Sequence, residues 1–234
     1  MTALLFDLDD TLLDYSTGVE VCWRESCATV AAPAGVDPVA LAQTLAEVQR
    51  WFWEDPERHR RERIDMIGAW GKIAARALER AGGAGDGLAA AMAEDFAARR
   101  RAAMRLFPDT LDVLARFRRR GVPLGLVTNG DARLQREKIQ RYDLVRFFDV
   151  VVIEGEFGLG KPDAEVFRHA LAGLGAAPAA AWMVGDHLVW DVAGAQRAGL
   201  RAAWIDRRRG GLPAASPARP DRIVHALIEL SDLG

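Results

Sequence analysis

Lysine is scarce in this chain. Only Lys72, Lys138 and Lys161 occur in 234 residues, so arginine supplies nearly all of the 31 basic groups. Against 33 acidic residues this leaves a net charge of −2, which exerts no overall pull on nucleic acid or an anionic membrane. Basic clusters at 58–63, 99–101, 118–120 and 207–209 read as solvated helix faces and ends, and none dominates, so no nucleic-acid partner is expected. Cysteine is scarcer still. Cys22 and Cys27 have no metal-ligand spacing, and the expectation is two reduced, packed thiols in a cytoplasmic protein. No apolar run approaches the ~20 residues of a membrane span, so no membrane partner is expected. Met1 runs into an apolar segment with no basic region or cleavage site before it. Internal repeats and low-complexity tracts are also missing. What remains is an ordinary globular composition, long enough for one large domain or two modest ones.

Against that plain background, four short segments stand in one order. They are Asp7-Leu8-Asp9-Asp10-Thr11, Thr128-Asn129-Gly130, Lys161-Pro162, and Gly185-Asp186 with Asp191 five residues on. The first, second and fourth each follow an apolar run that reads as a buried strand. In a parallel sheet the carboxyl ends of the strands share one edge, where ligands bind. Asp7, Asp9, Asp186 and Asp191 can therefore meet at one point with the Thr128 hydroxyl and the Lys161 ammonium. Two unit charges ~4 Å apart repel by about 4 kcal/mol at an effective dielectric of 20. A phosphate dianion would add to that repulsion, and Lys161 alone cannot offset it. A hard cation with oxygen ligands can, and Mg²⁺ is the usual one beside phosphates.

Strands are expected at 3–8, 123–128, 148–153, 182–185 and 202–205. Helices are expected at 163–172, with Pro162 tolerated at the start, at 189–198, ended by Gly199, and at 221–230 after a Gly/Pro-rich loop. This alternation predicts an α/β fold with a doubly wound, Rossmann-like parallel sheet. The stretch 15–105 differs. Met66, Trp70, Ile73 and Ala77 mark one helix face, and breaks at 33–35, 55–56 and 82–87 divide it into about four helices. It reads as a helical insertion, leaving residues 1–14 and 106–234 as the core.

Some features have plainer readings. Asp10 and Asp14 suit capping or solvation, and Asp131 suits a helix N-cap. Gly155 to Lys161 has the spacing of a phosphate-binding loop, but Pro162 replaces the hydroxyl residue and removes an N–H. His187 fits a hydrogen-bonding role better than a metal or substrate contact. Of Trp51, Phe52 and Trp53, not all can face one helix core. One ring is either partly exposed or lines a pocket.

The four motifs together resemble those of the haloacid dehalogenase superfamily of hydrolases, and the insertion matches its helical C1 caps. The resemblance covers about 1–14 and 105–234. It implies that Asp7 is the nucleophile and forms an aspartyl-phosphate. It makes Asp9 the acid and then the base, with its backbone carbonyl on the metal. Thr128, Asn129 and Lys161 would bind phosphate. Asp7, Asp9, Asp186 and Asp191 would hold Mg²⁺. The expected function is Mg²⁺-dependent hydrolysis of a small phosphomonoester, with the insertion closing over the site as a cap. Haloacid dehalogenases and phosphonatases lack an acid at the position of Asp9, which argues against both. A phosphomutase shares the motifs. A receiver-like phosphoryl acceptor orders its acids differently and needs no such insertion. Residues 126–139 also look locally like N-acylneuraminate-9-phosphatases and pyrimidine-5′-nucleotidases. Trp190 departs from the small or polar residue common before Asp191; its ring would pack in the core or reshape the back of the metal site. A monomer and a homodimer are both compatible with the sequence.

Overall fold

Residues 3–6 carry no polar side chain, and in the computed structural model, which describes residues 2–83 and 86–233, they form a strand buried on both faces. Burial on both faces is the usual condition of a parallel strand. The strands are β1 (Ala3–Phe6), β2 (Leu13–Asp14), β3 (Arg105–Leu106), β4 (Leu124–Thr128), β5 (Val150–Ile153), β6 (Ala181–Gly185), β7 (Arg201–Ile205) and β8 (Arg222–Val224). Six of them make one sheet in the order β5-β4-β1-β6-β7-β8. Every pairing in it is parallel. β2 and β3 pair separately and antiparallel, with Leu13 opposite Leu106.

The chain divides into two compact units: Met1–Tyr15 with Arg105–Gly234, and Ser16–Met104. The second contains α1 (Val19–Ser26), α2 (Pro38–Glu54), α3 (Pro56–Glu62), α4 (Met66–Arg80) and α5 (Asp86–Ala103). α1 runs on into a π-helical turn, Cys27–Ala31, and a 3₁₀ turn, Ala32–Ala34. This is one helix more than expected. The extra break falls between α3 and α4, where Asp65 caps α4 by accepting from the Gly68 N–H at 3.1 Å. The expected break at 82–87 includes residues 84 and 85, which lie outside the described residues. Trp23 stacks on Phe96 with ring centroids 3.8 Å apart, and Trp70 meets the same ring edge-on. Phe52 is buried, Trp53 half-buried and Trp51 exposed, with the Arg58 guanidinium 4.2 Å from the centre of the Trp51 ring.

Around the large sheet lie α6 (Thr110–Arg119), α7 (Ala132–Arg141), α8 (Glu154–Phe157), α9 (Ala164–Leu174) and α10 (Gly194–Arg197). Ala3, Leu5, Val127 and Met183 pack with Phe167, Ala170, Leu171 and Val192 in one buried cluster. Phe6, one position on from Leu5 and so on the opposite face, meets Phe117 and Phe148. Asp131 caps α7 through the Leu134 N–H, and Asp163 caps α9 through the Glu165 N–H. Pro162 therefore precedes the cap rather than beginning the helix.

Two expected helices take other forms. At 189–198 the chain makes a π-helical turn, Leu188–Ala193, before α10. The 221–230 segment is not a helix. It gives β8 and then a 3₁₀ turn, Leu227–Leu230. The open edge of β7 offers backbone partners, and Arg222-Ile223-Val224 take them opposite Ala203, Trp204 and Ile205. The Asp221 carboxylate fixes the entry by accepting from the Ala202 N–H at 2.9 Å.

Leu4 is fully buried in the central strand. Leu4→Ala should cost about 2–5 kcal/mol of stability, read from the midpoint of urea unfolding. A loss under about 1 kcal/mol would contradict the tight packing described for β1.

Candidate active site

The sheet reverses direction at β1. From β1 the chain moves through β4 to β5 on one side, then crosses to β6, β7 and β8 on the other. Such a switch point opens a crevice at the carboxyl ends of the strands. Asp7 follows β1 there, and its N–H continues the ladder to Val184 O at 2.9 Å. Asp186 follows β6, and Asp191 comes from the π-helical turn just beyond. One carboxylate oxygen from each of Asp7, Asp186 and Asp191 can be chosen so that all three lie within 4.8 Å of one another.

Lys161 binds two of the three. Its Nζ is 2.6 Å from Asp7 Oδ1 and 2.7 Å from Asp191 Oδ1, and the side chain is almost wholly buried. The Thr11 hydroxyl donates to Asp7 Oδ2 at 3.1 Å, and the His187 N–H donates to Asp191 Oδ2 at 2.9 Å. Gly185 makes room for this arrangement, because a Cβ there would stand 2.3 Å from the Asp191 carboxylate.

Burial pushes the Asp7 carboxyl up from 3.8 to about 7; Lys161 opposes the rise and Asp191 adds to it. Burial also holds Asp186 well above the ordinary carboxyl range, with Asp7 and Asp191 contributing. For Lys161 burial acts the other way, yet Asp191 and Asp7 outweigh it and keep the ammonium charged. The cluster thus has three carboxylates and one contacting ammonium. The oxygens of its carboxylates are hard ligands, which suits Mg²⁺.

The other expected residues are placed differently. The Asn129 side chain holds the Lys161 backbone from both sides: Nδ2 donates to Lys161 O at 2.8 Å, and Oδ1 accepts from Lys161 N–H at 2.7 Å. Thr128 Oγ1 accepts from Gln135 Nε2 at 2.6 Å. Asp9 does not direct its carboxylate into the Asp7, Asp186, Asp191 cluster. Both its oxygens accept from Lys138 Nζ, at 2.9 and 2.7 Å, and Oδ2 also accepts from Gln135 Nε2 at 3.0 Å. Asp10 has φ 59° and accepts from the Tyr15 N–H.

Sequence reasoning missed the parts played by Gln135, Lys138 and Glu154. The first two are buried polar residues three apart on α7, a spacing that puts them on one helix face. Buried Glu154 accepts from the Gly130 N–H at 2.9 Å, bracing the loop after β4. The segment Gly155 to Lys161 makes the end of α8 and a left-handed turn at Gly158, and Lys161 faces carboxylates. His187 Nδ1 accepts from the Val189 and Trp190 N–H groups, capping its turn. Trp190 stacks on that ring at 3.8 Å, rather than packing in the core.

A model of the haloacid dehalogenase-like hydrolase family matches residues 1–199, and the chain belongs to that family. It is accordingly an enzyme, a hydrolase. It is 38% identical over 252 aligned positions to a phosphoserine phosphatase of Thermus thermophilus, covering 98% of each chain. To a glyceraldehyde 3-phosphate phosphatase of Methanopyrus kandleri it is 32% identical, covering 94% of this chain and 90% of the other. Among solved structures, a 2-haloacid dehalogenase of Pseudomonas syringae matches with a TM-score of 0.69 and 31% identity, over 100% of this chain and 98% of the other.

Because Asp7 holds its proton more tightly folded than unfolded, its contribution to stability is full below about pH 4 and is lost as pH rises through about 7. In EDTA, Asp7→Asn should therefore melt about 2–4 °C or more above the wild type at pH 8, with little gain at pH 4. Equal shifts at both pH values would show that the Asp7 charge is not the cause.

Proposed function

We propose that this enzyme is a Mg²⁺-dependent phosphatase that hydrolyses a small phosphomonoester through an aspartyl-phosphate on Asp7. The observation carrying this reading is the close trio Asp7, Asp186 and Asp191, the first and third buried, with Lys161 between those two. Asp7 attacks phosphorus, and Lys161 keeps the nucleophile and the incoming anion from repelling each other. Thr128 donates its hydroxyl to a phosphate oxygen. Since the Asn129 side chain is engaged with Lys161, its backbone N–H is the group offered to phosphate. Asp9 gives a proton to the leaving oxygen as the P–O bond breaks. It then takes one from the water that attacks the aspartyl-phosphate, so the cycle closes. Asp7, Asp186, Asp191 and the backbone carbonyl of Asp9 would hold Mg²⁺. When bound, the ion neutralises the carboxylates and the charge gathering on phosphorus.

The full-length similarity to a phosphoserine phosphatase makes L-phosphoserine the first substrate to try, with sugar phosphates and nucleotides beside it. Asp9 favours this chemistry over dehalogenation, because an alkoxide leaving group needs a proton and a halide does not. We assign the helical unit Ser16–Met104 the role of a substrate-selecting cap. Of the described residues, no helix is long and apolar enough to cross a membrane. The two unpaired, buried thiols fit a cytoplasmic setting.

With Mg²⁺ present, the purified protein should release inorganic phosphate from p-nitrophenyl phosphate and from at least one natural monoester, and EDTA should stop it. Asp7→Asn should lower kcat by about 10³-fold or more while circular dichroism stays native. Retained turnover would remove Asp7 as the nucleophile. Mg²⁺ should also raise the Tm of the wild type more at pH 8 than at pH 5, since protons compete for the same oxygens.

A further inference from the structure

The acid–base residue has a holder of its own. Lys138 is a buried ammonium with three protons, and three oxygens meet it: Asp9 Oδ1 at 2.9 Å, Asp9 Oδ2 at 2.7 Å and Gln135 Oε1 at 2.7 Å. The Tyr15 ring covers it, with its centroid 4.1 Å from Nζ. Because Gln135 Oε1 accepts from Lys138, the amide of Gln135 can be oriented only one way. Its Nε2 must face Asp9 Oδ2 at 3.0 Å, Thr128 Oγ1 at 2.6 Å and Asn129 O at 3.1 Å. Two N–H bonds thus serve three acceptors. Thr128, accepting a hydrogen bond from Gln135, keeps its own hydroxyl hydrogen to donate. That hydroxyl lies 3.4 Å from Asn129 O, a weak bond that a phosphate oxygen would improve on.

We propose that Lys138 is a positioning residue for Asp9, with Gln135 as the bridge that ties this grip to the Thr128 hydroxyl. The inference rests on the phosphatase reading above. When Asp9 yields its proton to the leaving oxygen, both of its oxygens become acceptors. Lys138 and Gln135 supply three N–H bonds to them, so the carboxylate stays in one orientation until it takes a proton from water. Without the ammonium the side chain is free to rotate, and small misplacements of a reacting group are costly. A merely structural ion pair makes a different prediction. Its loss would lower stability and the fraction of folded enzyme, and leave kcat per folded molecule unchanged.

A double-mutant cycle separates the two. The variants are Lys138→Met, Asp9→Asn and the pair, assayed in the full-length enzyme with Mg²⁺ on the natural monoester that the wild type turns over best. Asp9→Asn should lower kcat by about 10²-fold or more. Lys138→Met should lower kcat by about tenfold with KM nearly constant, and in the Asp9→Asn background should change kcat by less than about twofold. If the two losses multiply, or Lys138→Met keeps the wild-type kcat, the inference is overturned while the phosphatase reading stands. An inert wild type, or full kcat in Asp9→Asn, would instead remove the reading beneath it. Should Lys138→Met melt below the assay temperature, all four enzymes are assayed below its melting point with the same criteria.

Discussion

The contact between Lys161 and the carboxylates of Asp7 and Asp191 is the constraint on which the site depends. One ammonium lies against two buried acids with half-buried Asp186 beside them, and burial works against the charges of Asp7, Asp186 and Lys161. The surrounding structure serves to make that crowding tolerable. Asn129 grips the Lys161 backbone from both sides, so the ammonium cannot withdraw with its loop. Gly185 leaves the space into which the Asp191 carboxylate fits. Thr11 and the His187 N–H satisfy the oxygens that Lys161 leaves over. Burial raises the Asp7 carboxyl to about 7, and a further positive charge in the cluster would favour its ionised form.

The same economy of charge appears twice. Lys161 and Lys138 are two of only three lysines in the chain, and both are buried against aspartates of the first motif. Lys161 contacts Asp7, and Lys138 contacts Asp9. Arginine, abundant elsewhere, is found mostly on exposed helix faces and in surface pairs such as Arg136 with Glu156 and Arg76 with Glu79. A compact ammonium with three rotatable protons suits a narrow buried corner better than a planar guanidinium does.

Much of this was legible beforehand. The order of motifs and the apolar runs before them anticipated the parallel sheet and the edge to which Asp7, Asp186 and Asp191 belong. Other features were hidden for physical reasons. Ile223, Val224, Leu227 and Leu230 fit a helical spacing, yet the unpaired edge of β7 drew Arg222–Val224 into the sheet, a demand invisible from local pattern. Seven of the ten residues of α7 are polar, so it looks like a solvated helix. Only the assembled fold reveals that Gln135 and Lys138 point inward to Asp9. The break at Asp65 depended on one carboxylate reaching one N–H, a choice that apolar periodicity does not record.

The central position of β1 has a consequence for synthesis on the ribosome. Leu4 pairs with Leu124 on one side and Trp182 on the other, so the first strand made must wait for partners more than a hundred residues downstream. The segment translated in between, Ser16–Met104, is contiguous and helical. It is complete before β4 and β6 are made, while β1 still lacks both of its sheet neighbours. The nascent chain thus exposes β1 until β4 and β6 follow, making that strand a natural point of attention for chaperones.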